Sequence, residues 1–227
     1  MDSRAKDAPL FSNYGESSPF AEAYRALRVS LFNGNEKSLR LLGMTGAGPR
    51  HGSSTTAANF TLVMGETGTS VILVDADLYK PSLHRFFNLS NAVGLSSVLA
   101  GEAQLGDALQ TIPGASGLKL LAGGPAVRNP SALMRPERLR AVLDELGQAA
   151  DLVIVDLPSV SAIAYTAQIA PMLDGVVLVL RAGTEPSDAE RLVSRRLRGT
   201  KLLGIVLNRV PLRGSDASPY RDYAQLK

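Results

Sequence analysis

Leu39-Arg40-Leu41-Leu42-Gly43-Met44-Thr45-Gly46-Ala47-Gly48-Pro49-Arg50-His51-Gly52-Ser53-Ser54-Thr55-Thr56 is the stretch on which the fold turns. The apolar run 39–44 shows no period-two alternation, which predicts a strand buried on both faces. A Gly-rich turn follows, and residues 54–66 then read as a helix. At the carboxyl end of a parallel strand, such a turn gathers backbone N–H groups beside a helix N-terminus, where phosphate oxygens bind. Ser and Thr at a helix start are also ordinary caps. Taken alone, the segment fits a phosphate loop and a plain strand-to-helix turn equally.

The same rhythm extends to both sides. Upstream, Pro19 suits a first helical turn and Glu22 its dipole, and the helical spacing runs on until Asn33-Gly34 stops it. Downstream, Val71–Val74, Leu118–Leu121, Leu152–Val155, Val176–Leu180 and Leu203–Leu207 are short apolar runs. They alternate with helical stretches near 93–100, 132–147, 163–170 and 186–198. Strand and helix in alternation predict an α/β protein, a doubly wound, mostly parallel sheet with helices on both faces. Residues 1–18 read as a flexible arm, 19–212 as one domain, and 213–227 as a flexible tail.

The composition agrees with a globular domain: 227 residues, 45% hydrophobic and 20% charged, with 21 Gly and 13 Pro, exclude a disordered or collagen-like chain. Without cysteine there is no thiol nucleophile, Cys–zinc site or disulfide, and His51 and His84 alone do not make a histidine metal site. The net charge of +3, from 24 basic and 21 acidic residues, is too small to mark a nucleic-acid partner. No apolar run approaches the ~18 residues of a membrane span, and Met1-Asp2-Ser3-Arg4 opens no signal sequence. A cytoplasmic protein without a direct membrane span is expected.

Two segments favour the phosphate-loop reading. Val71-Ile72-Leu73-Val74-Asp75-Ala76-Asp77 and Leu152-Val153-Ile154-Val155-Asp156 each end a buried strand on a carboxylate, at the sheet edge where the Gly-rich turn also lies. A lone Asp after a strand is usually a cap. Asp75, Asp77 and Asp156 converging on one loop instead supply the hard oxygen ligands and the base that a Mg²⁺ nucleotide site requires.

With these segments in order, the chain resembles the bacterial tyrosine kinases (BY-kinases) of capsule and exopolysaccharide synthesis. The resemblance runs over about residues 17 to 212. It is carried by Pro19-Phe20-Ala21-Glu22-Ala23-Tyr24-Arg25-Ala26-Leu27-Arg28, the Gly-rich loop and Asp75-Ala76-Asp77-Leu78-Tyr79-Lys80-Pro81. Gly123-Gly124-Pro125 to Asn129-Pro130-Ser131, Asp156-Leu157-Pro158 and Leu207-Asn208-Arg209-Val210 complete it. It implies a P-loop NTPase-like fold. The loop Gly48-Pro49-Arg50-His51-Gly52-Ser53-Ser54-Thr55 would be Walker A, the Asp75 segment Walker A′ and the Asp156 segment Walker B, with ATP or ADP and Mg²⁺ as cofactors. Asn208 would contact adenine, with Arg209 beside it. Ser54, Asp77 and Asp156 would surround the metal, and Asp75 would serve as base toward tyrosine. Glu22, Arg25 and Arg28 match the family's Glu-x-x-Arg-x-x-Arg helix, which implies a ring-shaped homo-oligomer; the plain alternative is a solvated face with i,i+3 ion pairs. A membrane polysaccharide co-polymerase is the implied partner and activator, placing the protein at the inner face of the membrane.

The departures from the family pattern bear on chemistry. Where the pattern places lysine after Gly52, this chain has Ser53, and a hydroxyl cannot follow the charge that develops in phosphoryl transfer. Arg50-His51 replace the family's Gly-Glu, so a left-handed backbone at Arg50 would be strained. His51 is expected to face solvent. Tyr165 stands where the family often has a second acid, and only Tyr220 and Tyr223 represent its dense tyrosine tail as phosphoacceptor candidates. These features predict a catalytically impaired, oligomeric scaffold or regulator. The alternatives are an active tyrosine autokinase in which Arg50 or Lys80 returns the cation, and a partitioning-type P-loop ATPase.

Overall fold

A computed structural model describes residue 10 and residues 18–32 and 39–211. In chain order the elements are α1 (Pro19–Phe32), β1 (Leu41–Gly46), α2 (Ser53–Gly65), β2 (Val71–Asp75), α3 (Leu83–Phe86), α4 (Leu95–Ala100) and α5 (Leu105–Ala108). They continue with β3 (Leu109–Thr111), β4 (Leu118–Leu121), α6 (Pro130–Leu133), α7 (Pro136–Ala149), β5 (Leu152–Leu157), α8 (Thr166–Ile169), β6 (Gly175–Arg181), α9 (Pro186–Arg196) and β7 (Leu202–Asn208).

The seven strands form one sheet in the order β3-β4-β2-β5-β1-β6-β7, parallel except for β3. Continuously apolar strands bury both faces, and every residue of β1, β2 and β5 is buried. One apolar layer lies between the sheet and α1 and α2, built around Tyr24, Phe60 and Val63; the other packs α7 and its neighbours on the opposite face through Leu139, Leu143 and Leu146. Eight of the 13 residues of α2 are buried, because the helix is held between the sheet and α1. The doubly wound arrangement is therefore the one expected.

Five details differ from the sequence reading. The stretch 132–147 is two helices, since the backbone of Arg135 is extended (ψ 130°) ahead of Pro136. The stretch 163–170 shrinks to one turn at α8, continued by a 3₁₀ turn at Ala170–Met172 that contains Pro171. β3 has no long apolar run and is an antiparallel edge strand. β7, predicted as buried on both faces, is the other edge, and leaves Ile205 (54%) and Leu207 (57%) exposed. Leu10, inside the stretch expected as a flexible arm, is buried in the layer with α1 and α2. The tail expected over 213–227 lies outside the described residues, as do Tyr220 and Tyr223. Among the described residues, no helix is long and apolar enough to cross a membrane.

Candidate nucleotide site

Parallel pairing brings the carboxyl ends of β1, β2, β5, β6 and β7 to one edge of the sheet. The loop after β1 is fastened there by Ala47 N–H donating to the Val179 carbonyl (3.1 Å) and Val160 N–H donating to the Gly46 carbonyl (3.0 Å). Gly52 enters α2 with φ 95° and ψ 23°, and a Cβ built on it would lie 2.1 Å from Asn208 Nδ2, so only glycine fits. Its carbonyl accepts from the Thr56 N–H and the Thr56 hydroxyl, both at 2.9 Å. The first-turn N–H groups of Ser53, Ser54 and Thr55 precede any helical acceptor, the arrangement that a phosphate cradle requires.

His51, expected to face solvent, is half-buried and turned onto the neighbouring backbone. Its Nδ1 accepts from the Arg181 N–H (3.2 Å), and its carbonyl accepts from Asn208 Nδ2 (2.9 Å). Partial burial, followed by the positive field of Arg181 and Arg209, holds its pKa below the usual histidine range, which suits a neutral ring with an acceptor nitrogen. Asn208 therefore braces the loop from the end of β7.

Register sets the acids together, with Asp156 of β5 across from Met44 of β1 on one side and Asp75 of β2 on the other. Asp75 is wholly buried: Oδ2 accepts from the N–H groups of Ser82 (2.8 Å) and Leu83 (3.0 Å), and Oδ1 from that of Asp77 (3.3 Å). Burial, with the nearby charge of Asp77, pushes it up to about 6 despite those amides. Asp156 is 1% exposed, and neither carboxylate oxygen has a hydrogen-bond partner among the described residues. Burial first, then the charge of Asp75, raises its pKa well above the carboxylate range, and the neighbouring Ser54 and Ser53 hydroxyls offset this only in part. Asp77 lines the cavity, its Oδ1 accepting from the N–H groups of Tyr79 (3.1 Å) and Lys80 (3.0 Å).

An orphaned buried carboxylate beside Ser54 and a phosphate cradle is the donor set for a hard cation that shares its coordination with phosphate and water. The residues fit Mg²⁺ in that sense. Among the described residues, no three His, Cys, Asp or Glu side chains cluster closely enough to hold a metal by themselves.

The cavity at this edge has a volume of about 550 Å³, within the range of small-molecule sites. Gly48, Pro49, Gly52, Ser53, Ser54 and Thr55 line one wall as the motif predicts, and three cations, Arg50, Lys80 and Arg209, line it too. Arg50 has φ 63°, the left-handed conformation its sequence position put in question. A larger cavity of about 720 Å³ near the amino ends of β1 and β5 includes Arg28 and Asp151 but no part of the phosphate cradle.

Tyr165 is a residue whose role the sequence did not disclose. Buried to 1%, it donates from its hydroxyl to the Ala76 carbonyl (2.9 Å) and accepts from the Leu78 N–H (3.3 Å), straddling Asp77. Its ring stacks on Tyr79 at 6.1 Å. Its position near 163–170 was legible, but its partners lie 87 and 89 residues away.

The helix motif sits elsewhere. Arg25 bridges Glu22 (2.5 Å) and Glu66 (2.8 Å), and Arg28 donates to the Val63 carbonyl (3.2 Å). Within one chain, these arginines fasten α1 to the C-terminal half of α2.

No family model matches the chain. Tyrosine-protein kinase YwqD of Bacillus subtilis (strain 168) is 33% identical over 206 residues, which is 89% of this chain and 84% of YwqD. Tyrosine-protein kinase etk of Escherichia coli (strain K12) is 33% identical over 220 residues, 96% of this chain but 30% of that relative, so the chain spans less than a third of its length. The solved kinase domain of that enzyme superposes with a TM-score of 0.85 at 31% identity, covering 91% of this chain and 82% of the domain. The septum site-determining protein MinD of Pyrococcus horikoshii, complexed with Mg-ADP, aligns with a TM-score of 0.63 at 24% identity over 81% of this chain and 76% of its own; it shares the fold alone. The two one-third-identical relatives, one of them matched over most of its own length, show that the chain belongs to the bacterial tyrosine-protein kinase family.

Proposed function

We propose that this chain is a nucleotide-binding BY-kinase domain, spanning residues 19–212, in which phosphoryl transfer is weakened and an oligomeric scaffold or regulatory role in capsule or exopolysaccharide synthesis or export predominates. One observation carries the reading. The orphaned Asp156 carboxylate and the backbone cradle persist, while the first residue of α2 is Ser53 in place of an amine. Bound Mg²⁺ supplies charge neutralisation for the phosphates. The chain's own residues do the rest: N–H groups of Ser53, Ser54 and Thr55 hold phosphate oxygens, and Asn208 keeps the loop closed. Asp77 is the acid that lines the cavity and so is placed to take a proton from an incoming tyrosine hydroxyl. Asp75, expected from the sequence as that base, is instead wholly buried and engaged by backbone amides, so that we assign it to positioning Asp77.

By family analogy, the working form is a homo-oligomeric ring at the inner face of the membrane, docked on a membrane polysaccharide co-polymerase, with Tyr220 and Tyr223 as its acceptors. A second reading, an active autokinase, is favoured by the three cations that line the cavity.

A fluorescent adenine nucleotide titrated with and without Mg²⁺ tests the first part, with tighter binding expected in Mg²⁺; no binding under either condition would refute the nucleotide reading. Incubation with Mg·ATP followed by phosphotyrosine detection tests the second. Little or no signal is expected, and vigorous autophosphorylation of the unmodified chain would establish the autokinase instead.

A further inference from the structure

Among the described residues, three positions other than glycine have a left-handed backbone: Arg50 (φ 63°), Asn88 (φ 54°) and Arg209 (φ 59°). Asparagine tolerates this conformation because its side chain bonds locally; arginine has no such compensation. Both arginines line the cavity in which the loop lysine has been replaced by Ser53. They arrive from opposite ends of the chain, one on the loop after β1 and one directly after β7.

A single side chain ties these two positions together. Asn208 donates from Nδ2 to the carbonyl of His51, next to Arg50, and accepts at Oδ1 from the N–H of Arg209 (2.8 Å). Neither arginine has a carboxylate partner among the ion pairs of the described residues. Of the acids nearby, Asp75 and Asp156 are buried behind the loop, and Asp77 is engaged by backbone amides. Two guanidinium groups at one cavity, beside a helix N-terminus and with no carboxylate paired to either among the described residues, create a site that a multiply charged anion would complete. Backbone strain retained at both positions, where glycine would relieve it, is expected when the side chains are used.

We infer that Arg50 and Arg209 form a two-arginine clamp on the polyphosphate of a nucleoside di- or triphosphate, substituting for the missing loop lysine in binding. Each guanidinium offers a planar fork to phosphate oxygens. Both belong to the loop body and the end of β7, not to the loop-to-helix junction, so their charge acts on the bound ground state as much as on a transition state. That raises affinity without restoring the rate. The clamp rests on the nucleotide reading above.

The test uses the full chain and isothermal titration with ADP and with inorganic pyrophosphate. Arg50→Gly and Arg209→Gly remove the cations and are compatible with the left-handed backbone. Each is expected to weaken ADP and pyrophosphate binding by about tenfold, while the melting temperature without ligand holds or rises. Lys119→Ala, an exposed lysine on β4 outside the cavity, serves as the control and stays within twofold. Affinity falling as stability holds is the signature that a purely structural role for the arginines would not produce. Arg50→Asn and Arg209→Asn, also tolerant of this backbone, replace any glycine variant that fails to fold. If the unmodified protein binds ADP and both arginine variants bind it equally well, the clamp is refuted and the nucleotide reading stands. If the unmodified protein binds neither ADP nor pyrophosphate, both fall together.

Discussion

At Ser53 the difference between a hydroxyl and an amine is worth roughly 3–5 kcal/mol of transition-state stabilisation, or about 10²- to 10⁴-fold in rate. Ser53→Lys is therefore expected to raise phosphotyrosine formation with Mg·ATP by that order, read by anti-phosphotyrosine blot against time; an unchanged rate would mean the block lies elsewhere. Arg50 presents the opposite balance. A left-handed arginine costs about 1–2 kcal/mol, and glycine gives back roughly 0.4–1 kcal/mol through its freer unfolded chain. Arg50→Gly should thus raise stability by between about 0 and 1.6 kcal/mol in urea unfolding. Tyr165→Phe keeps the ring stack on Tyr79 but deprives the Ala76 carbonyl and Leu78 N–H of their partner, at about 2 kcal/mol. Ser53 and the strain at Arg50 were legible because a loop motif is local in sequence. The bridge made by Tyr165 was not, since only tertiary pairing brings the loop after β5 against the loop after β2.

Central strands announced themselves because a strand buried on both faces must carry a continuous apolar run, and β1, β2, β5 and β6 do so up to the polar residues at their carboxyl ends. Edge strands escape it. β3 is only three residues long, and β7 keeps an apolar sequence although α9 leaves Ile205 and Leu207 uncovered. The helix motif shows a similar limit: Glu22, Arg25 and Arg28 could be recognised, but Glu66, the partner that ties Arg25 to α2, lies 41 residues away. Exposed or half-exposed pairs contribute about 1 kcal/mol or less, so Arg25→Ala should lower stability only modestly. If the same helix also builds a ring, Arg25→Ala with Arg28→Ala should yield monomers in sedimentation velocity while urea unfolding shifts little. An unchanged sedimentation coefficient would confine both arginines to their intrachain role.

Across the whole molecule, the sheet holds two carboxylates side by side at its carboxyl edge, and the fold bears the cost of their burial. The pKa of Asp75 rises from 3.8 to about 6, and that of Asp156 rises well above the same starting value. A carboxyl with a raised pKa makes the folded state bind more protons than the unfolded one, so its contribution to stability is greatest below about pH 4 and is lost as pH climbs through the folded value. For Asp75 the rise from 3.8 to about 6 corresponds to roughly 3 kcal/mol. The lowered values of His51 and His84 act in the opposite sense below neutrality, so the clean measurement is a difference between variants. Asp156→Asn removes one buried charge at nearly constant volume. In the absence of metal and nucleotide, it should unfold at a higher temperature than the unmodified chain at pH 8, with the gap narrowing as the pH is lowered toward 4. With ADP present, added Mg²⁺ should raise the melting temperature of the unmodified chain and leave that of Asp156→Asn nearly unchanged. A variant that loses stability at pH 8, or that still responds fully to Mg²⁺, would show that Asp156 is a structural acid and not a carboxylate kept unpaired for a cation.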